Sequence, residues 1–258
     1  MASELLGQTV IVTGAGSGIG AETAKRFAAE GALVAMVDMN ADGMAETAAA
    51  AKSAGAEVEP VAYAGSITDE GFVEATIADL LGRTQGIQGL VNVAGITRDA
   101  RTVKMSLDDF RLVLDVHLTG SWLLIREIGK QDWHPTWKEA QAGDPRRFIT
   151  SLSSVSARNG NPGQANYCAA KGGIEALTKT IAREYATYGA RVNAIAPGPV
   201  DTPMLSAVPE EIRQAMGRAT LLGRIAQPAE IADAIFKVST SPYITGQVIQ
   251  VNGGMYLD

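Results

Sequence analysis

Tyr167 and Lys171, with Ser154 a short way upstream, are residues whose types and spacing could move a proton. No Gly or Pro interrupts Gln164 to Lys171, and an apolar pattern continues through Ile174, Leu177 and Ile181, which predicts a helix. Tyr167 and Lys171 then lie one turn apart on the same face. A phenol with an ordinary pKa near ~10 is a poor acid or base at neutral pH. An ammonium beside it favours the phenolate, because opposite charge lowers the cost of ionising. A tyrosine tuned this way can give a proton to, or take one from, an oxygen during hydride transfer. The same pair also occurs on ordinary helices, with Tyr half-buried and Lys solvated, so the chemistry depends on its company.

That company begins in the first half of the chain. The β-branched run Thr9–Thr13 leads directly into Gly14-Ala15-Gly16-Ser17-Gly18-Ile19-Gly20, and an apolar-periodic helix follows through Ala24, Phe27 and Ala28. Strand, glycine loop and helix in that order aim backbone N–H groups and a positive helix end at a pyrophosphate. The next strand, Leu33–Val37, ends in Asp38, whose carboxylate can accept both hydroxyls of an adenosine ribose and would repel a 2′-phosphate. No Arg or Lys stands at Ser17 or in Met39–Ala41 to receive such a phosphate. Both positions favour NAD(H) over NADP(H), although Asp38 could instead cap the helix starting near Ala41.

Helix signals over 41–54 (an exposed helix) and 71–83 alternate with strands over 56–62 and 87–91. This alternation predicts one α/β domain over 1–258: a Rossmann-type, doubly wound parallel sheet with helices on both faces. The 258 residues, 46% of them hydrophobic, suffice for a sizeable core. A net charge of −6 argues against binding nucleic acid through phosphates. The single cysteine, Cys168, excludes an internal disulfide and reads as a small buried apolar side chain in a reducing compartment. No apolar run is long enough to span a membrane and no basic leader precedes Leu5, so a cytoplasmic location is expected. His134 has no Cys, His or carboxylate cluster around it, and no metal site is expected.

Four motifs make the chain similar to the classical short-chain dehydrogenase/reductase family over nearly its whole length. They are Thr13-Gly14-x-x-x-Gly18-x-Gly20, Asn92-x-Ala94-Gly95, Ser154 with Tyr167-x-x-x-Lys171, and Pro197-Gly198. The resemblance implies that Ser154 holds the substrate oxygen and Tyr167 is the acid/base. Lys171 would bind the nicotinamide ribose while depressing the Tyr167 pKa. It also implies a cofactor-binding set of Gly14, Ser17, Gly18, Ile19, Gly20, Asp38, Ser66, Ile67, Asn92, Ala94, Gly95, Tyr167, Lys171, Pro197, Gly198, Val200 and Thr202. Ala94-Gly95-Ile96-Thr97-Arg98-Asp99, Gly163–Tyr167 and Tyr243–Gln247 with Val251–Met255 are more narrowly similar to bacterial 3-oxoacyl-[acyl-carrier-protein] reductases. Asp38 departs from that group, whose typical members use NADPH, and fits an NADH-dependent member or an oxidation-direction enzyme.

Two further departures stand out. His117 occupies the place where the family usually has an Asn that holds a helix kink, with its main-chain carbonyl on a water leading to the lysine. A neutral imidazole can donate from one nitrogen and accept at the other, so His117 could be catalytic or simply packed in the core. Ser66 stands where an Asp usually meets the adenine amine, and modestly weaker adenine binding is expected.

In the second half, 107–130 reads as one long helix or two abutting ones, paired with the Tyr167 helix, which extends to about Tyr188. The resemblance implies that both join a four-helix bundle with a second subunit, and a homotetramer is expected. The long connection 131–147 carries Trp133 and Trp137, read as a cap or interface. Residues 199–222, with Met204, Leu205, Val208, Ile212 and Met216, read as a lid over an apolar substrate, or as a surface helix with a Met-rich face. Two function classes result. One is an NAD(H)-dependent oxidoreductase of a 3-oxoacyl/3-hydroxyacyl thioester or another ketone and secondary alcohol. The other is a dinucleotide-binding regulatory protein without catalysis.

Overall fold

The computed structural model describes residues 5–136, 138, 146–206 and 208–257. Seven parallel strands form one sheet in the order β3-β2-β1-β4-β5-β6-β7. The strands are β1 (Thr9–Thr13), β2 (Leu33–Asp38), β3 (Val61–Ala64), β4 (Gly89–Asn92), β5 (Phe148–Leu152), β6 (Arg191–Pro197) and β7 (Val248–Val251). The central strands β1, β4 and β6 are buried along their whole length, as parallel strands covered on both faces must be. Sheet order reverses between β1 and β4, which opens a crevice at their carboxyl ends.

Helices cover both faces. They are α1 (Gly18–Ala29), α2 (Ala41–Ser53), α3 (Glu70–Arg83), α4 (Leu107–Leu114), α5 (Gly120–Ile128), α6 (Ser156–Asn159), α7 (Ala165–Tyr185), α8 (Pro203–Ser206), α9 (Glu210–Arg218) and α10 (Pro228–Thr240). One apolar layer joins Phe27, Met44, Phe148 and Phe236, and the opposite one joins Ile77, Leu90, Leu124 and Trp133. Helix starts follow local chemistry: the Asn40, Asp69 and Ser106 side chains accept from Gly43, Phe72 and Asp109 N–H groups.

Several expectations shift. The strand expected over 56–62 lies at Val61–Ala64, since Ala54-Gly55 with Gly55 at φ +94° still belongs to the turn that ends α2. The helix over 41–54 is not wholly exposed, because Met44, Thr47 and Ala51 are buried. The long helical pattern over 107–130 is two α-helices joined by a π-helical turn, Asp115–Thr119, with a second π turn at Gly129–Trp133. Trp133 is fully buried, donates to the Ile87 carbonyl at 2.7 Å and stacks edge-on against Tyr185, a local cap. Trp137 lies outside the described residues. No helix among the described residues is long and apolar enough to cross a membrane.

Candidate active site

At the carboxyl edge of β1, glycine is a steric requirement. Gly14 has φ +68°, and a Cβ there would sit 2.9 Å from the Ala94 backbone; at Gly20 it would meet the Gly14 carbonyl at 2.0 Å. Thr13 Oγ1 accepts from the N–H groups of both Val93 and Ala94, tying the loop to the end of β4. The loop is thus closely applied to its surroundings, with α1 opening behind it as a positive end.

Asp38 does not cap α2, whose N-cap is Asn40. Its two carboxylate oxygens accept instead from Gly16 N–H and Asn40 N–H, each at 2.9 Å, which fixes the carboxylate beside the glycine loop. Ser66 Oγ is engaged with Thr68, through its hydroxyl at 2.8 Å and its N–H at 3.2 Å.

One cavity of about 530 Å³ brings the expected residues together. Gly14, Ser17, Gly18, Ile19, Gly20, Asp38, Ser66, Ile67, Ala94, Gly95, Pro197, Gly198, Val200 and Thr202 line it, with His117, Ser154, Tyr167 and Lys171 at its far end. Asn92 is set back from this lining: its amide donates to Ser151 Oγ at 3.2 Å, bracing β4 against β5. The extended shape of the crevice and the steric demand at the glycines fit a nicotinamide dinucleotide laid across the switch point.

At the far end, Ser154 Oγ accepts from Ser156 N–H at 3.1 Å and lines the same cavity as Tyr167. Lys171 is 2% exposed and donates to the Leu152 carbonyl at 2.5 Å, its ammonium 5.6 Å from the Tyr167 ring centre. The expected depression of the Tyr167 pKa is not found. Burial pushes the phenol up to about 12, and only the Ser154 hydrogen bond opposes that rise. Burial also pushes Lys171 down to about 7, so near neutrality the lysine carries only part of its charge. Desolvation opposes the charged form of both groups.

His117 is 3% exposed and packs edge-on against Tyr167, ring centres 5.2 Å apart at 90°. Its Nε2 lies 2.8 Å from the Ile96 carbonyl and 3.0 Å from the Ile96 N–H. Burial, with the Lys171 charge adding to it, pushes the imidazole down to about 3, so it is neutral at physiological pH. The main-chain carbonyl of His117 accepts from Ser121 Oγ at 2.7 Å. The π turn carries this residue, which agrees with a kink at this position.

The lid segment holds two helices, α8 and α9. Met204, Leu205, Val208 and Met216 line the cavity, joined by Met255 from the chain's end, while Ile212 is 52% exposed and faces away. Thr202 packs over Gly18, and Arg213 pairs with Asp201 at 2.9 Å, anchoring α9 to the stem of the segment. Among the described residues no group of His, Cys and carboxylates could hold a metal. Cys168 is half-buried rather than buried.

Two supports had no sequence reading. Asn166, fully buried, donates to the Arg98 and Asp109 carbonyls and accepts from Tyr167 N–H. Glu175 accepts from Ser153 Oγ at 3.0 Å and from Arg158 at 2.7 Å, tying the serine segment to α7. The available signal was polarity at positions where a helical period demands a buried side chain.

A family model described as enoyl-(acyl carrier protein) reductase matches residues 14–256. The 3-oxoacyl-[acyl-carrier-protein] reductase FabG of Thermotoga maritima is 36% identical over 255 residues, 98% of this chain and 99% of that protein. The 3-oxoacyl-[acyl-carrier-protein] reductase of Synechocystis is 37% identical over 262 residues, 98% of each chain. Among solved structures, a putative gluconate dehydrogenase from Agrobacterium tumefaciens superposes with a TM-score of 0.88 at 29% identity, covering 99% of this chain and 98% of its own. With the fold, the dinucleotide crevice and the Ser154, Tyr167 and Lys171 constellation in place, the chain belongs to the short-chain dehydrogenase/reductase family of oxidoreductases.

Proposed function

We propose that this oxidoreductase is an NAD(H)-dependent reductase of 3-oxoacyl thioesters, with Ser154, Tyr167 and Lys171 as its catalytic groups. The observation that carries the reading is the shared cavity, in which Ser154, Tyr167 and Lys171 line one end and the buried Lys171 ammonium lies 5.6 Å from the Tyr167 ring centre. A protonated phenol is the form needed to donate to a carbonyl oxygen that is becoming an alkoxide, so the site suits reduction. Ser154 and Tyr167 hydroxyls converge on one oxygen, and their hydrogen bonds strengthen as charge develops on it. The nicotinamide, when bound, supplies the hydride. Lys171 then faces a phenolate, whose charge favours the ammonium and draws the proton back through the lysine. The apolar lid face of Met204, Leu205, Val208 and Met216 suits an acyl chain.

Asp38 supports NADH: its carboxylate is held by two backbone N–H groups at the place where a ribose 2′-phosphate would be repelled. Gly14, Ser17, Gly18, Ile19 and Gly20 would hold the pyrophosphate, Ser66 and Ile67 the adenine, and Ala94, Gly95, Pro197, Gly198, Val200 and Thr202 the nicotinamide half. We also assign a homotetramer, for which the exposed Leu107, Leu112 and Trp122 of α4 and α5 offer apolar surface, and a cytoplasmic setting. Reduction of another ketone, or oxidation of its alcohol, is the second reading; the likeness to a putative gluconate dehydrogenase favours it.

Steady-state reduction of an acetoacetyl thioester, with NADH and NADPH run side by side, tests the proposal. Turnover with NADH is the expected result. Turnover mainly with NADPH would remove the assignment made from Asp38, and no turnover with either would favour the second reading.

A further inference from the structure

Beyond the catalytic groups, the cavity has two unlike kinds of lining. Met204, Leu205, Val208 and Met216 supply the apolar part, and Asp99, Ser156, Asn161 and Gln164 a polar part. The polar residues form one hydrogen-bonded chain. Gln164 Nε2 donates to Asp99 Oδ2 at 2.9 Å, and Asn161 Nδ2 donates to Gln164 Oε1 at 3.0 Å and to Ser156 Oγ at 2.9 Å. Ser156 N–H then donates to Ser154 Oγ at 3.1 Å, so the chain runs from Asp99 to the serine of the active site.

The carboxylate sets the direction of this chain. An ionised carboxylate only accepts, so the nitrogen of Gln164 must face Asp99 and its oxygen must face Asn161. One oxygen of Asp99 is engaged in this way. The other, Oδ1, meets no donor among the described residues, although the side chain is exposed and lines the cavity. Its neighbour Arg98 donates to the Thr97 carbonyl and lies 3.9 Å from Asp109 instead. Neither Arg98 nor Arg101 lines the cavity. Of the charged side chains that do, Asp38 belongs to the glycine-loop end, and Lys171 is 2% exposed and donates to the Leu152 carbonyl. Among the described residues, Asp99 is therefore the accessible full charge at the substrate end. Its field reaches Tyr167, whose ionisation it opposes.

We propose that Asp99 is a specificity-determining residue: its free oxygen accepts an N–H from the arm of a neutral substrate, and its charge turns away substrates with a free carboxylate. This rests on the reading of Ser154, Tyr167 and Lys171 as the active site and deepens the thioester assignment. A thioester of the cysteamine type is neutral at the acyl group and offers an amide N–H a short way beyond its sulfur. A free 3-oxo acid puts an anion in place of that neutral group and has no such donor. A hydrogen bond to an ionised acceptor is about twice as strong as one between neutral groups. No cation lining the substrate end offsets the repulsion of an anion, and because Asp99 is exposed, salt screens that repulsion.

Ligand binding to the protein loaded with NADH or NADPH, whichever it takes, tests this through the nicotinamide fluorescence. The probes are the butyryl thioester of N-acetylcysteamine and butyrate, neither of which has a ketone to reduce. Wild type should bind the thioester more tightly than butyrate. Asp99→Asn keeps the size of the side chain and can still accept from Gln164. It should shrink that preference by about three- to tenfold, by weakening the thioester and strengthening butyrate. Butyrate affinity for wild type should also rise between about 20 and 500 mM salt, and should not do so in Asp99→Asn. A preference left unchanged by the exchange overturns the proposal. Equal weakening of both probes is such a result and would make Asp99 only a support for its loop. An undetectable affinity of wild type for the thioester overturns it as well. These measurements need no turnover, so a protein that fails to reduce an acetoacetyl thioester would remove the functional reading while the ratio of affinities still decides the role of Asp99.

Discussion

The two ends of the cavity are built from different materials. At the glycine-loop end the site is mostly backbone: Gly14 and Gly20, where a Cβ would collide, N–H groups of Gly16 and Asn40, and the positive end of α1. The opposite end is built of side chains: Ser154, Tyr167, Lys171 and His117, braced by Asn166 and Glu175 and roofed by methionines. Backbone sites tolerate almost no substitution at their close contacts, because neither partner can rotate away. Side-chain sites can be retuned one residue at a time. On the proposed reading, one end holds its ligand by shape and the other sets chemistry by burial.

That contrast can be broken by experiment. The largest effect should come from Gly20→Ala, whose Cβ would meet the Gly14 carbonyl at 2.0 Å. Dinucleotide binding, followed by cofactor fluorescence, should be abolished, with a stability loss of about 1–3 kcal/mol from overpacking. Gly172→Ala, on α7 where a Cβ meets nothing within 4 Å, is the control and should raise stability by about 0.5–1 kcal/mol. Retained binding in Gly20→Ala would mean that the loop yields and the contrast fails.

Next in size is Tyr167→Phe, expected to lower turnover by roughly 10²–10⁴-fold while leaving dinucleotide affinity within a few-fold. Near-normal turnover would remove Tyr167 as the acid. Asp38→Asn should weaken NADH by about ten- to a hundredfold, or ~1.4–2.8 kcal/mol, and narrow the gap to NADPH. If both cofactors weakened equally in a binding titration, Asp38 would be serving the loop's shape and not the choice of cofactor.

A pH-dependent effect, absent at neutrality, concerns acid stability. His117 is pushed down to about 3 when folded, from an ordinary value near ~6.5 when unfolded. Between those limits the unfolded chain binds the extra proton, so the folded state loses stability as pH falls from about 6.5 toward 3. The loss is about 1.4 kcal/mol per pH unit for this one group. Denaturant melts of wild type and His117→Asn across pH 7 to 4.5 should therefore converge as pH drops. Parallel curves would show that the buried imidazole does not set the acid limb.

The same division explains how much could be read from the amino-acid sequence. Glycines at fixed spacing after a β-branched strand have few steric explanations, so the loop, the sheet and the place of Asp38 were legible. Ser154, Tyr167 and Lys171 were legible as a constellation, but their proton affinities were not. Those depend on burial, which pushes Tyr167 up and Lys171 down and has no local sequence mark. Asn166 and Glu175 escaped because a single polar residue on a helix looks solvated until its partners, far away in the chain, are known. Strand β3 was placed too early because 56–62 has the composition of a strand but follows directly on the glycine turn after α2.

The π-helical turn Asp115–Thr119 carries a consequence for how this chain can change length. A π turn holds one more residue than an α turn in the same helical run. Deleting one residue there would let 107–128 close into continuous α-helix while α4 and α5 keep their present faces, because the turn is where the extra residue is absorbed. The change would fall on the turn itself, where His117 would lose its place beside Tyr167 and Ile96. A one-codon deletion at this point is thus expected to reach the site first and the packing of α5 last.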